Sequence, residues 1–290
     1  MTTLLDQLAD FSTFRALLVG DFMLDEIVHG DAGRLSPDAP VPVLRAIREE
    51  HSAGGAAHVA RCLAALGGEV HCCGVVGDDA AASTLRSLLA EDGLDVAGLV
   101  TDPRRPTTVK RSLVGLAQHR HPQKMFRLDV ESRDALTASV EDTLVAFVEG
   151  CVGGVDVVCL EDYDKGVCTP GLCQRVIAAA RRAGVEVLVD PALLEDYAKY
   201  RGATCLTPNR TEADVATGTG PDPVRMSTAL LAATDCDLVV LTLDKDGSLV
   251  HGTTHEPVMV PTVARAVYDV TGAGDVVIAA LAAGRAHRLT

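Results

Sequence analysis

Asp269-Val270-Thr271-Gly272-Ala273-Gly274-Asp275 runs directly into an Ala/Val/Ile/Leu-rich stretch, so a glycine turn opens a helix. Gly272 and Gly274 permit backbone angles that gather several amides on one concave surface, and the first helical turn adds its own unpaired N–H donors. The product is an anion hole at a helix N-terminus, where the helix dipole also favours negative charge. Asp275 falls in that first turn, with its carboxylate beside the hole. It can take the proton of an attacking hydroxyl, which phosphoryl transfer through a loose transition state releases late. The same residues also fit an ordinary glycine turn with an acid in a favourable N-terminal position, so the decision rests on what surrounds them.

Upstream, apolar strand-like runs alternate with helix-like segments. Residues 16–20, 70–76, 155–160, 185–189 and 238–243 read as strands, and residues 55–66, 80–90 and 172–182 as helices. This rhythm predicts a mostly parallel sheet covered by helices on both faces. Gly67-Gly68 and Gly184 are positioned to end helices. Two segments break the pattern. Residues 29–51 contain Ser36-Pro37-Asp38-Ala39-Pro40-Val41-Pro42, too rich in proline for a helix, and residues 107–114 alternate polar and β-branched side chains like a half-exposed strand. The expectation is a single α/β domain over residues 1–290 with a small β appendage, its segments near 29–51 and 105–130. Such an appendage suits a lid that excludes water or a surface for homodimer formation, and ordinary connecting loops remain the alternative.

Composition narrows the function. Hydrophobic residues are 48% of the chain, yet no uncharged apolar run is long enough to span a membrane, and residues 1–11 carry acids where a signal peptide needs bases. A cytoplasmic location is therefore expected. Nine cysteines without a C-x-x-C pair read as reduced core residues, not as a disulfide framework or zinc site. A net charge of −14 with no basic block, and no Trp, disfavours nucleic acid or an anionic membrane as partner. There is no G-x-x-x-x-G-K-[ST] and no G-x-G-x-x-G after the first strand, so neither a P-loop nor a dinucleotide fold is expected. Asp162-Tyr163-Asp164 lacks the later glycine and glutamate of a calcium loop, and His119-Arg120-His121 has no further ligand at suitable spacing.

Several segments offer ligand contacts. Asp21 and Asp25 follow the first strand, at the edge where parallel sheets bind ligands, and are suited to accept sugar hydroxyls or to be solvated loop acids. Gly54-Gly55-Ala56-Ala57 precedes a helix whose amides can meet a polyol or phosphate closely; helix packing explains it equally. Asn209 and Glu212, three apart in Thr207-Pro208-Asn209-Arg210-Thr211-Glu212, would share one side of a helix start, either ordering waters around magnesium or capping the helix. Thr242 to Gly247, after a buried strand, forms a loop along a nucleotide or a hairpin turn.

In this order and spacing, the segments make the chain resemble the ribokinase or phosphofructokinase B family of ATP-dependent sugar kinases over essentially its whole length. Asp269 to Asp275 is similar to the family's second signature, and Gly54-Gly55-Ala56-Ala57 to the core of the first. Four narrower motifs resemble the kinases acting on D-glycero-β-D-manno-heptose 7-phosphate. They are Arg34-Leu35-Ser36-Pro37-Asp38-Ala39-Pro40-Val41-Pro42-Val43, Arg127-Leu128-Asp129, Asp162-Tyr163-Asp164-Lys165-Gly166 and Tyr200-Arg201-Gly202-Ala203-Thr204.

The resemblance implies a ribokinase-like three-layer sandwich with a β lid. It also implies ATP-dependent phosphorylation of the C1 hydroxyl to the 1,7-bisphosphate, for ADP-heptose and lipopolysaccharide core synthesis. In that reading Asp275 is the general base, and the amides of Gly272, Ala273 and Gly274 hold the transferring group. Asp21, Asp25, Gly54 and Gly55 hold the sugar, and Arg127 and Lys165 are candidates for its distal phosphate, with an Asp129 or Glu131 ion pair as the competing role of Arg127. Asn209 and Glu212 serve Mg2+ and ATP, the metal through water, and Thr242 and Gly247 lie along the nucleotide.

Four positions depart from the family pattern. His58 stands where Asn is usual, Ala192 where heptose kinases carry Lys, and Val276 where Thr is usual; the chain also stops at Thr290, where relatives continue through helices that wall the adenine pocket. The expectation is a site strong in its transfer chemistry and short of protein around the nucleotide. The nucleotidyltransferase domain fused to some heptose kinases has no counterpart in these residues. A kinase for another sugar or a nucleoside, or a sugar-phosphate binder without productive ATP binding, stays open at this stage.

Overall fold

The computed structural model describes residues 11–116, 121–262 and 272–289. Its central sheet has nine strands in the order β13-β12-β11-β10-β9-β8-β1-β4-β5. The parallel body comprises β1 (Phe14–Gly20), β4 (Gly68–Val76), β5 (Asp95–Thr101), β8 (Val157–Glu161), β9 (Glu186–Asp190), β10 (Cys205–Leu206) and β11 (Leu238–Thr242). Two antiparallel strands, β12 (Ser248–Gly252) and β13 (His255–Val260), extend one edge.

Seven α-helices occur among the described residues. They are α1 (Ala56–Ala65), α2 (Ala80–Glu91), α3 (Ala138–Cys151), α4 (Pro170–Ala183), α5 (Arg210–Thr217), α6 (Pro223–Thr234) and α7 (Ala273–Ala286). Strand alternation sorts the core into two layers. Leu17, Val19, Val158 and Leu160 point into a cluster with α3, α4 and α6, while Ala16, Leu18, Val157 and Cys159 point into one with α1, α2 and α7. The parallel sheet between two helical layers agrees with the sequence rhythm, and the described cysteines are free and mostly buried.

Local chemistry explains the boundaries. Thr169 accepts from the Leu172 amide and Pro170 opens α4, while Gly184 closes it at φ 71° in the left-handed region. Asp79 caps α2 through the Ala82 amide at 2.8 Å.

The segments that broke the rhythm form a second, four-stranded sheet in the order β3-β2-β6-β7. It consists of β2 (Phe22–Leu35), β3 (Pro42–Gly55), β6 (Thr108–Leu116) and β7 (Gln123–Val130). The proline-rich segment 36–41 is the turn between β2 and β3, held by a Ser36 amide to Val41 carbonyl bond of 2.8 Å. Register then sorts the side chains. Ser52, Asp25, Lys110 and Asp129 lie opposite one another on one face, followed by Glu50, Ile27, Ser112 and Arg127. The other face carries Val28, Leu113 and Phe126, and the Glu26–Arg111 ion pair at 2.5 Å.

Candidate active site

The C-terminal ends of the parallel strands meet the start of α7 and the polar face of the small sheet. Gly272 is the N-cap of α7 at φ 77°, a left-handed conformation that suits glycine. A Cβ there would lie 2.9 Å from His58 Nε2 and 3.8 Å from Asp275 Oδ2. Asp275, in the first turn, accepts a 2.9 Å hydrogen bond at Oδ1 from the Tyr163 hydroxyl. The turn is therefore packed against an imidazole, and the carboxylate is oriented from one side only. Asp269, Val270 and Thr271 of the same motif lie outside the described residues, as do His119 and Arg120.

Gly272 and Asp275 line a cavity of about 340 Å³ with Asp25, Ser52, Ala53, Gly54, Gly55, His58, Arg61, Lys110 and Tyr163. Gly54 is required by contact, since a Cβ would stand 2.5 Å from Asp25 Oδ2. Gly55, at φ 55°, turns the chain from β3 into α1. Burial raises the pKa of Asp25, opposed by the Lys110, Arg127 and His58 charges and reinforced by Asp275. The protein thus brings together Asp25, Gly54, Gly55, Gly272 and Asp275 from three sequence regions.

Asp21 does not join them. It is 1% exposed and accepts from the amides of Tyr163 at 2.8 Å, Lys165 at 3.1 Å and Val167 at 3.2 Å. The expectation that it holds a sugar hydroxyl is corrected: Asp21 organises the 163–167 loop that carries Tyr163. Burial, and then the Asp162 charge, lifts its pKa to about 6 against those three amides.

The two expected phosphate cations are already paired. Arg127 donates to both oxygens of Asp129 at 2.7 and 2.6 Å, and Lys165 Nζ lies 2.7 Å from Glu131. Lys110, which sequence reading did not single out, lines the cavity and lies over the Tyr163 ring, 5.2 Å from its centroid. The signal for it was present, because alternation along 107–114 places Lys110 and Ser112 on one face.

A second cavity, about 270 Å³, adjoins Tyr163 and is lined by Arg133, Asp162, Asp164, Asp190, Pro191, Ala192, Leu193 and Glu212. Asp162 accepts from the buried Tyr200 hydroxyl at 2.7 Å and pairs with Lys199. Burial, and then the Glu212 charge, pushes the Asp190 pKa up to about 8, against a 3.0 Å bond from the Thr207 hydroxyl. Glu161, next to Asp190 in register, is completely buried, and neither carboxyl oxygen has a hydrogen-bond partner among the described residues.

Asn209 and Glu212 form a capping box at α5. Asn209 Oδ1 accepts from the Thr211 and Glu212 amides at 2.9 and 3.0 Å, and Glu212 Oε2 accepts from the Asn209 amide at 2.7 Å. Glu212 also lines the second cavity, and burial raises its pKa. Gly247 adopts φ 96° in the turn joining β11 to β12, where a Cβ would lie 2.0 Å from the Val260 carbonyl. Thr242, which ends β11, donates its amide to the Pro208 carbonyl at 3.0 Å. Neither Thr242 nor Gly247 lines either cavity; the segment between them is the hairpin turn from β11 to β12.

The family model for pfkB family carbohydrate kinase matches residues 17–290. The chain belongs to that family of carbohydrate kinases. As a pfkB-family kinase it is 41% identical over 276 residues to a bifunctional protein HldE of Geotalea uraniireducens, covering 94% of this chain and 55% of that protein. It is 43% identical over 270 residues to the bifunctional protein HldE of Geobacter metallireducens, covering 92% and 54%. The kinase thus spans about half the length of the curated relatives it matches.

Its fold is ribokinase-like. Arabidopsis thaliana ribokinase complexed with ribose and ATP superposes with a TM-score of 0.70 at 20% identity, covering 96% of this chain and 88% of that one. The tetrameric inhibited form of phosphofructokinase-2 from Escherichia coli gives 0.75, also at 20% identity with 96% and 88% coverage. No described helix is long and apolar enough to cross a membrane.

Proposed function

We propose that this chain transfers the γ-phosphoryl group of ATP to the C1 hydroxyl of D-glycero-β-D-manno-heptose 7-phosphate, giving the 1,7-bisphosphate and ADP. The observation that carries the reading is the convergence of Asp275, Gly272, Asp25 and Gly54 on one cavity, with Tyr163 fixing one oxygen of Asp275. The heptose is the sugar implied by the resemblance of residues 34–43, 127–129, 162–166 and 200–204 to heptose 7-phosphate kinases.

In this mechanism Asp25 accepts hydrogen bonds from sugar hydroxyls, and the glycines at Gly54 and Gly55 let the sugar approach the backbone. Tyr163 occupies Asp275 Oδ1, which leaves Oδ2 to face the reacting hydroxyl. The hydroxyl oxygen forms the new bond to phosphorus as the bond to ADP breaks, and its proton passes to Asp275. The amides of Gly272, Ala273 and Gly274 are aimed at the charge on the transferring group, where such donors lower the barrier most. Arg127 and Lys165 add positive field toward the distal phosphate, and Thr242 and Gly247 border the nucleotide.

Among the described residues no group of three or more His, Cys, Asp or Glu is arranged to hold a metal ion. Hard carboxylate oxygens of Asp190 and Glu212 face the second cavity, a donor set that fits Mg2+ held mainly by phosphate and water. Bound there with ATP, Mg2+ would neutralise phosphate charge, with Asn209 and Glu212 ordering its waters. The small sheet acts as the lid, and its apolar outer face around Phe126 suits a second copy of the chain. The setting of such a reaction is the cytoplasm, in the supply of ADP-heptose for lipopolysaccharide.

A coupled assay for ADP release across a panel of sugars and sugar phosphates tests the proposal. Turnover with heptose 7-phosphate well above that with hexose phosphates, ribose and nucleosides is expected. A higher kcat/KM for any of those would replace the substrate, and heptose phosphate binding without ADP release would replace the kinase reading.

A further inference from the structure

Among the residues lining the larger cavity, Arg61, Lys110 and His58 are the basic ones. Arg61 is spent on Asp92 at 2.7 Å, and His58 Nε2 sits 3.7 Å from the Cys62 thiol. Lys110 differs. No carboxylate lies within ion-pair distance of its Nζ among the described residues, although Asp25 and Asp129 face it from the flanking strands β2 and β7. Its recorded contact is the face of Tyr163.

Arg127 and Lys165 would each have to release a carboxylate before gripping a ligand, as Asp129 and Glu131 already satisfy them. Lys110 has nothing to release. Burial, together with the Arg127 and Lys165 charges, lowers its pKa against the pull of Asp25 and Asp129. An anion entering beside it would therefore relieve a strained cluster of cations. Tyr163 supplies the geometry. Its ring lies under Lys110 and its hydroxyl ends on Asp275, so one rigid side chain spaces a cation from the proton-accepting carboxylate.

We infer that Lys110 is the specificity-determining residue of the acceptor site, anchoring a phosphate carried by the sugar at the end remote from the reacting hydroxyl. This rests on the proposed sugar-phosphate reading and adds the residue that enforces it. Arg127 and Lys165, held by their carboxylates, set the field around the anchor and leave the direct contact to the Lys110 ammonium.

The test compares Lys110→Met and Lys110→Arg with the wild type, using heptose 7-phosphate and the same heptose without phosphate. For each, kcat/KM and calorimetric affinity are measured. A charge-assisted contact to phosphate is worth about ten- to a hundredfold in affinity. Lys110→Met is expected to lower the preference for the phosphorylated sugar by that factor, through KM more than kcat, and Lys110→Arg to restore most of it.

If Lys110→Met weakens both sugars equally, or lowers kcat alone, Lys110 acts on the transferring group or on the fold and the inference fails. A preference unchanged in Lys110→Met also overturns it, with the sugar-phosphate reading intact. A wild type that does not distinguish the two sugars removes the reading itself. Melting temperatures of both variants guard against misfolding, and should Lys110→Met fail to fold, Lys110→Gln takes its place in the same comparison.

Discussion

The two walls of the larger cavity are built from different materials. One is backbone: the glycine turn before α7 and the β3–α1 junction, both anchored in the core by Ile278, Ala279, Ala57 and Val59, each fully buried. The other is side chain: charged residues of the small sheet, held in rows by register and paired with one another in part. Backbone donors on a packed helix cannot be retuned by substitution without shifting the core, whereas a sheet face changes its ligand with one residue. In the proposed reaction, the transfer chemistry sits on the first wall and most of the recognition on the second.

The sharpest way to break this division is Asp275→Asn. It keeps shape and the Tyr163 contact while removing the proton acceptor, and kcat is expected to fall by about a hundredfold or more with substrate affinity nearly unchanged. Equal losses in KM and kcat would put Asp275 on the recognition side. Gly272→Ala follows. Its φ of 77° and the 2.9 Å approach to His58 force either the turn or the imidazole to move. A loss of kcat of up to about a hundredfold is expected, in line with removal of one donor from an oxyanion-type hole. An active Gly272→Ala enzyme would show that the turn tolerates displacement and that its amides are not aimed as argued.

Gly54→Ala tests the boundary between the walls, because its new methyl would press on the Asp25 carboxylate at 2.5 Å. Here KM for the sugar should rise, by about tenfold for one misaligned charged contact, with kcat less affected. A larger effect on kcat than on KM would merge the two walls into one unit.

The same contrast explains what the sequence disclosed. Strands and helices of the parallel body announce themselves through apolar periodicity, and Asp275, Gly272 and Gly54 through small residues at helix starts, all local signals. Lys110 was hidden, since a lysine in a half-exposed strand looks solvated until the register sets it opposite Asp25 and the fold sets it over the Tyr163 ring. Asp21 misled for the converse reason: its position at a strand end suited a ligand, but the loop 140 residues downstream claims its oxygens. Asn209 and Glu212 carry both readings at once, because a capping box and a metal-water shell ask for the same spacing. Local sequence reports which residues are near a strand edge; only the long-range fold reports which of them already have partners.

The remaining prediction concerns stability, at Asp190, which lines the second cavity. Its carboxyl rises from 3.8 to about 8 on folding, through burial first and the Glu212 charge next. The folded protein therefore holds this proton more tightly than the unfolded chain, so the stabilisation is complete below about pH 4 and is lost as pH rises through 8. Asp190→Asn keeps the size of the side chain and has no proton to lose. Its melting temperature relative to wild type should climb between pH 5 and pH 8 and level off above, because only the wild type gives up a proton on unfolding over that range. Parallel melting profiles would mean that Asp190 is already ionised in the folded protein at neutral pH. The acid cavity would then have to hold its negative charges without the proton that burial assigns to it, and a cation would be required to stabilise it even before nucleotide arrives.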